Sequence, residues 1–160
     1  MNEPADDLRT GLAADLEVTL GRRAVLCVTG RIGAAETVSA ALTALGRSPV
    51  FLNTPYGAAA TTSDFARALY TALELPGPIP CDLTGIDQCV DARTRGAEPV
   101  LVVPSAETLH GPVLRELVCR WTRTPGPCPL ILTGTDQLRE ALADAGLGAV
   151  VLTWRALDVG

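Results

Sequence analysis

Five short apolar runs, separated by stretches with helical periodicity, constrain this chain more than any other feature. The runs are Ala24–Thr29, Pro49–Asn53, Pro99–Val103, Leu130–Thr133 and Ala149–Thr153. Each is continuous rather than alternating, as in a strand buried on both faces. Between them the spacing predicts helices. Pro4–Leu20 carries Leu8, Leu12, Leu16 and Leu20 at every fourth position. Thr37–Leu45 puts Val38, Ala41, Leu42 and Leu45 on one face, with Gly46 as its stop. A helix from about Ser63 turns Phe65, Leu69 and Leu73 inward, and another runs from about Thr84 to Arg95. Val113, Leu114, Leu117, Val118 and Trp121 mark a helix after Gly111-Pro112, and Leu138–Ala145 completes the set. Strands alternating with helices in this way predict an α/β fold with a five-stranded parallel sheet covered on both faces.

With 160 residues, 48% of them hydrophobic, the chain suits one packed domain. The expected division is an N-terminal helix over 1–20, a single domain over 21–157 and a tail over 158–160. Ligand sites of open parallel sheets lie beyond the C-terminal strand ends. The informative loops are therefore Gly30–Thr37, Asn53–Thr62, Pro104–His110 and Gly134–Gln137.

All thirteen basic residues are arginine; there is no lysine. Schiff-base chemistry, a phosphate-loop lysine and a Ser-Lys dyad are thereby excluded. His110 is the single histidine, so no imidazole cluster can hold a metal. Cys27, Cys81, Cys89, Cys119 and Cys128 form no CxxC pair and read as free thiols, with Cys27 in the core. Neither a metal nor a cofactor is expected. The net charge of -5 and pI of about 4.8 argue against nucleic acid as a partner. No apolar run is long enough to span a bilayer. The acidic start, Met1–Asp7, lacks a signal-peptide layout, which places the expectation in the cytoplasm, away from membranes.

The first strand, the segment Gly30-Arg-Ile-Gly-Ala-Ala-Glu-Thr37 and the next helix have the layout of a phosphate-binding loop. Val100–Leu109 looks like a Walker B strand with its continuation. Pro129–Leu138 looks like a sensor-1 strand and turn, with Thr133 and Thr135 as the sensor-like residues. Over Gly21–Leu157 the chain resembles the ATPase domain of the AAA class that includes transposition-helper and origin-recognition-like ATPases. The resemblance implies a three-layer αβα P-loop NTPase-like fold with strand order five, one, four, three, two. The helical lid domain that follows in such proteins is expected to be absent, since only a few residues follow Thr153 here.

The chemical residues depart from the pattern. Gly30, Gly33 and Thr37 fit, but Ala35 stands for the second glycine and Glu36 for the lysine. Pro104 and Ser105 stand for the magnesium-supporting Asp and the water-activating Glu. Thr37 retains a hydroxyl for a metal ion. Glu107 reads as a solvated loop residue, with substitution for the missing base as the alternative; Arg31 reads as solvent-facing. Ser105, Glu107 and His110 lie close in sequence but lack a nucleophile elbow. Arg115, Arg120, Trp121 and Arg123 form either a solvated helix face with Trp121 in the core, or a partner-binding face anchored on Trp and Arg.

These features together imply a non-catalytic ATPase-fold module for binding, regulation or assembly, its partner a protein, self-association included. The alternatives are a weak nucleotide-binding ATPase and a DNA-associated helper of the transposition type.

Overall fold

The computed structural model describes residues 11–18, 25–30, 33–52, 62–96, 100–109, 111–123, 129–147 and 153–157. Helix α1 covers 11–18. Strand β1 (Val25–Thr29) leads to α2 (Ala34–Ala44) and β2 (Pro49–Phe51). Helices α3 (Thr62–Ala72) and α4 (Leu83–Gly96) precede β3 (Val100–Val103). A 3-10 turn (Ala106–Thr108), α5 (Gly111–Arg123), β4 (Leu130–Gly134), α6 (Gln137–Asp144) and β5 (Thr153–Ala156) follow.

All five strands are parallel, in the order β2-β3-β4-β1-β5. This is the expected order read from the other edge. Cys27, Leu101 and Ile131 are fully buried on the adjacent central strands β1, β3 and β4, as anticipated. Strand periodicity divides the core in two. Leu26, Val28, Val100, Val102 and Ile131 meet Leu12 and Leu16 of α1 and Val38 and Leu42 of α2. Val25, Cys27, Leu101, Val103, Leu130 and Leu132 face a larger cluster built with α3, α4, α5 and α6. The sheet is thus the middle layer of an αβα sandwich.

Helix ends follow local chemistry. At the end of α2, Gly46 adopts φ 74°, the Arg47 N–H donates to the Leu42 carbonyl and the Gly46 N–H to Thr43. Gly146 closes α6 in the same way, with Leu147 donating to Leu142. Both are Schellman ends, and a Cβ at either glycine would strain them.

One expectation needs correction here. The segment Gly30–Glu36 is not all loop, because α2 starts at Ala34 with Gly33 as N-cap in the left-handed region (φ 75°). The fifth strand is described at Thr153–Ala156, and residues 149–152 of the run expected to form it lie outside the described residues. β5 is an edge strand with one neighbour, so it needs no continuous apolar run. It is held instead by Arg139 stacked 4.2 Å over the Trp154 ring and by an Arg155–Asp15 ion pair of 2.5 Å to α1. The ends of the Pro4–Leu20 helix, the 158–160 tail, Arg31, His110, Cys128 and the Phe65 side chain also lie outside the described residues.

Burial pushes the Cys27 thiol from 9.0 up to about 12, with the charge of Arg139 acting weakly the other way. The folded state therefore holds this proton more tightly than the unfolded one. Its contribution to stability is full below pH 9 and is lost as pH rises towards 12. The denaturant midpoint should fall between pH 8 and pH 10.5, and fall less in Cys27→Ala. Equal falls in both would remove Cys27 from the pH response.

Candidate functional site

Three of the four loops singled out in the sequence converge at the C-terminal ends of β1, β3 and β4. They enclose a cavity of about 220 Å3. Its lining takes Gly30, Gly33, Ala35 and Glu36 from the first loop, Pro104, Ser105 and Glu107 from the second, and Thr133 and Thr135 from the third. A backbone bond from Gly30 N–H to the Gly134 carbonyl (2.9 Å) ties the first loop to the third. The Asn53–Thr62 loop falls almost wholly outside the described residues.

On the α2 side, Ala35, Glu36 and Thr37 occupy the first turn of a helix capped by Gly33. Backbone N–H groups at such an end favour anions. Here the chain supplies its own anion. The Glu36 carboxylate folds back so that Oε2 lies 3.7 Å from where a Gly33 Cβ would stand. The Thr37 hydroxyl donates to the Gly33 carbonyl (2.9 Å), so it braces the helix start instead of facing the cavity as a free metal ligand.

The β3 side is built by a left-handed residue. Ser105 has φ 52° and ψ 46°, and its carbonyl accepts from the Thr108 N–H (3.0 Å) and hydroxyl (2.7 Å). This reversal exposes Ser105 and starts the 3-10 turn that carries Glu107 back over β4. Glu107 is not a solvated loop residue. One oxygen, Oε1, accepts a long hydrogen bond from the Thr135 hydroxyl (3.5 Å). The other, Oε2, is shielded from solvent, has no hydrogen-bond partner and lies against Gly134, where a Cβ would overlap it. Gly134 is therefore a close-approach glycine whose role is visible only with Glu107 in place. Thr133 is buried, its hydroxyl donating to the Val103 carbonyl at 3.4 Å, which links β4 to β3. Thr135 reaches the cavity and also accepts from the Gln137 N–H (3.3 Å) at the start of α6.

The structure thus gathers the phosphate-loop-like residues other than Thr37, the Walker-B-like residues and the sensor-like residues into one cavity. Its described lining holds two carboxylates and no basic side chain. Of the suggested Ser105–Glu107–His110 grouping, His110 lies outside the described residues, and the described partner of Glu107 is Thr135. Of the two readings of α5, Trp121 follows the one that puts it in the core. Trp121 is only 6% exposed and packs into the larger core cluster, so the apolar face of α5 turns its anchor inward. Arg115 is exposed, while the side chains of Arg120 and Arg123 lie outside the described residues.

The sheet order and the site at its C-terminal edge define a P-loop NTPase-like αβα fold. Solved structures of AAA-type proteins share that fold with this chain. A structure of Drosophila ORC bound to GC-rich DNA and Cdc6 aligns with 99% of this chain at TM-score 0.67 and 11% identity. Cdc6p from Pyrobaculum aerophilum aligns with 91% at TM-score 0.61 and 14% identity. Orc1 from Aeropyrum pernix in complex with DNA aligns with 94% at TM-score 0.55 and 15% identity. The chain covers 57%, 44% and 45% of those chains, about half their length. No protein-family model and no curated protein sequence matches it.

Two of these three structures contain DNA. That overturns the expectation that nucleic acid is an unlikely partner. The inference from a net charge of -5 fails because a chain-wide sum says nothing of local arginine patches. Among the described residues, no helix is long and apolar enough to cross a membrane.

Proposed function

We propose that this chain is a non-hydrolysing AAA-type domain that serves as a binding module in regulation or assembly, with nucleic acid among its partner classes. The observation that carries this reading is the paired acidic lining of the cavity at the strand ends. A triphosphate placed there meets Glu36 at the helix start and Glu107 across the cavity. Between unit charges about 4 Å apart the repulsion is roughly 1–4 kcal/mol, from water-like to surface-like dielectric. Pro104 offers no carboxylate for a nucleotide-bound magnesium, and the Thr37 hydroxyl is engaged with Gly33. The DNA-containing neighbours supply the reason for naming nucleic acid.

The test is phosphate release from ATP and magnesium, with and without duplex DNA, alongside fluorescence anisotropy on the same labelled duplex. We expect phosphate release at background in both conditions, with binding of the duplex at low salt. DNA-stimulated release that disappears in Glu107→Ala would make the protein an ATPase with Glu107 as its base.

A further inference from the structure

We propose that the trench between α1 and α2 binds a small amphiphilic cation, an organic ammonium with an apolar tail. This goes beyond the nucleotide reading, since Glu36 alone of the trench's described lining is shared with the strand-end cavity. Leu12 and Leu16 of α1 pack with Val38 and Leu42 of α2 against the sheet. Beside that contact α2 presents Thr37, Ala40, Ala41 and Ala44, spaced three and four apart on one helix face. Their short side chains leave the space between the helices open. The trench measures about 680 Å3, with Leu12 and Ala13 along one wall and Leu45 at the far end of the other. Small-molecule sites commonly measure roughly 300–1,000 Å3 and combine apolar walls with a few polar groups that fix orientation.

The polar groups set the ligand's chemistry. Among the described lining residues only Glu36 and Thr37 carry polar side chains. Thr37 donates its hydroxyl proton to the Gly33 carbonyl (2.9 Å), so its oxygen is left to accept. The side chains of the trench therefore offer acceptors and one negative charge, and no donor. The complementary ligand brings donors and positive charge on an apolar body. Its head lies at Glu36 and its tail along Ala40 and Ala44. From Glu36 to Ala44 the helix rises about 12 Å at 1.5 Å per residue, close to the reach of an eight-carbon chain. The α2 N-terminus opposes a cation with roughly half a unit charge, against the full charge of Glu36. A carboxylate on the same tail meets repulsion, and a hydroxyl lacks the charge.

The test titrates the full 160-residue chain, labelled with 15N, with n-octylammonium chloride, 1-octanol and sodium octanoate, three probes that share one tail. Amide shifts read both the affinity and the place. We expect octylammonium to saturate with a dissociation constant on the order of 10⁻⁴–10⁻³ M, fitting so small a ligand. The shifts should centre on Ala13, Ala40 and Ala44. Octanol should bind at least fivefold more weakly and octanoate at least tenfold, and added NaCl should narrow both gaps. Glu36→Gln should bring the three affinities together, while Glu116→Gln, at an exposed position on α5, should leave the preference intact. Ala44→Leu should weaken all three at least tenfold by filling the trench. Residues 36 and 44 are exposed on α2, and Gln and Leu are good helix formers, so both variants keep the fold. Absence of saturation below about 10 mM overturns the site. So does a preference that survives Glu36→Gln, or a pattern of shifts centred on the exposed Val18, Phe51 and Ile79. Each of these outcomes leaves the ATP reading to its own titration.

Discussion

Trp121→Ala is expected to destabilise the domain by about 3–5 kcal/mol, as for other large aromatic side chains removed from a core. Trp121 is 6% exposed and packs with Val118, Leu117 and the α3 residues Leu69 and Tyr70 in the cluster behind β1, β3 and β4. Truncation leaves a cavity that the surrounding leucines cannot fill without leaving their rotamers. For a domain of this size the thermal midpoint should drop by roughly 10 °C or more. Arg115→Ala, at an exposed position on the same helix, should change it by less than about 0.5 kcal/mol. The pair of measurements decides what α5 does. Loss of a partner complex in Trp121→Ala with an unchanged denaturation midpoint would return the helix to the interface role that its burial argues against.

The second large effect is a gain. Ala35→Gly combined with Glu36→Lys should raise ATP affinity at least tenfold, and by more at low salt. The change removes a Cβ from the first turn of α2 and replaces a repelling carboxylate with an attracting ammonium at the helix start. Reversing the sign counts the roughly 1–4 kcal/mol interaction twice, before screening at this exposed position reduces it. The double variant should bind without turning over, because Pro104 still provides no carboxylate. Affinity unchanged by the double substitution would mean that nucleotide and phosphate loop never meet in this fold.

How much of this was legible in the sequence depends on what kind of signal each feature leaves. The sheet was legible because β1, β3 and β4 are buried on both faces and must be apolar throughout, as Val25–Val28, Val100–Val103 and Leu130–Leu132 are. β5 was less legible for the converse reason. An edge strand bearing Trp154 and Arg155 leaves no apolar run over Thr153–Ala156, and residues 149–152 of the run singled out in the sequence lie outside the described residues. Trp121 was ambiguous because its helix carries arginines and apolar residues at interleaved positions, and only packing shows which face turns inward.

Glu107 was the larger miss. Counting from the strand end makes it a loop residue three places beyond Pro104. The left-handed turn at Ser105 is what folds it over Gly134, and nothing in a serine signals that conformation. Glu36 was read as a reversed charge in the phosphate-loop-like segment. That it sits in the first helical turn, with its carboxylate folded towards Gly33, depends on the N-cap geometry of that glycine.

The central claim is that an acidic cavity has replaced a phosphate site. The most direct measurement is a calorimetric titration of the unmodified chain with ATP and magnesium near neutral pH, using protein whose fold is verified by circular dichroism. No saturable binding is expected below millimolar nucleotide, because Glu36 and Glu107 both line this cavity. A micromolar dissociation constant, weakened by salt and by substitution of Gly33 or Thr133, would place the nucleotide in this cavity after all and contradict the account.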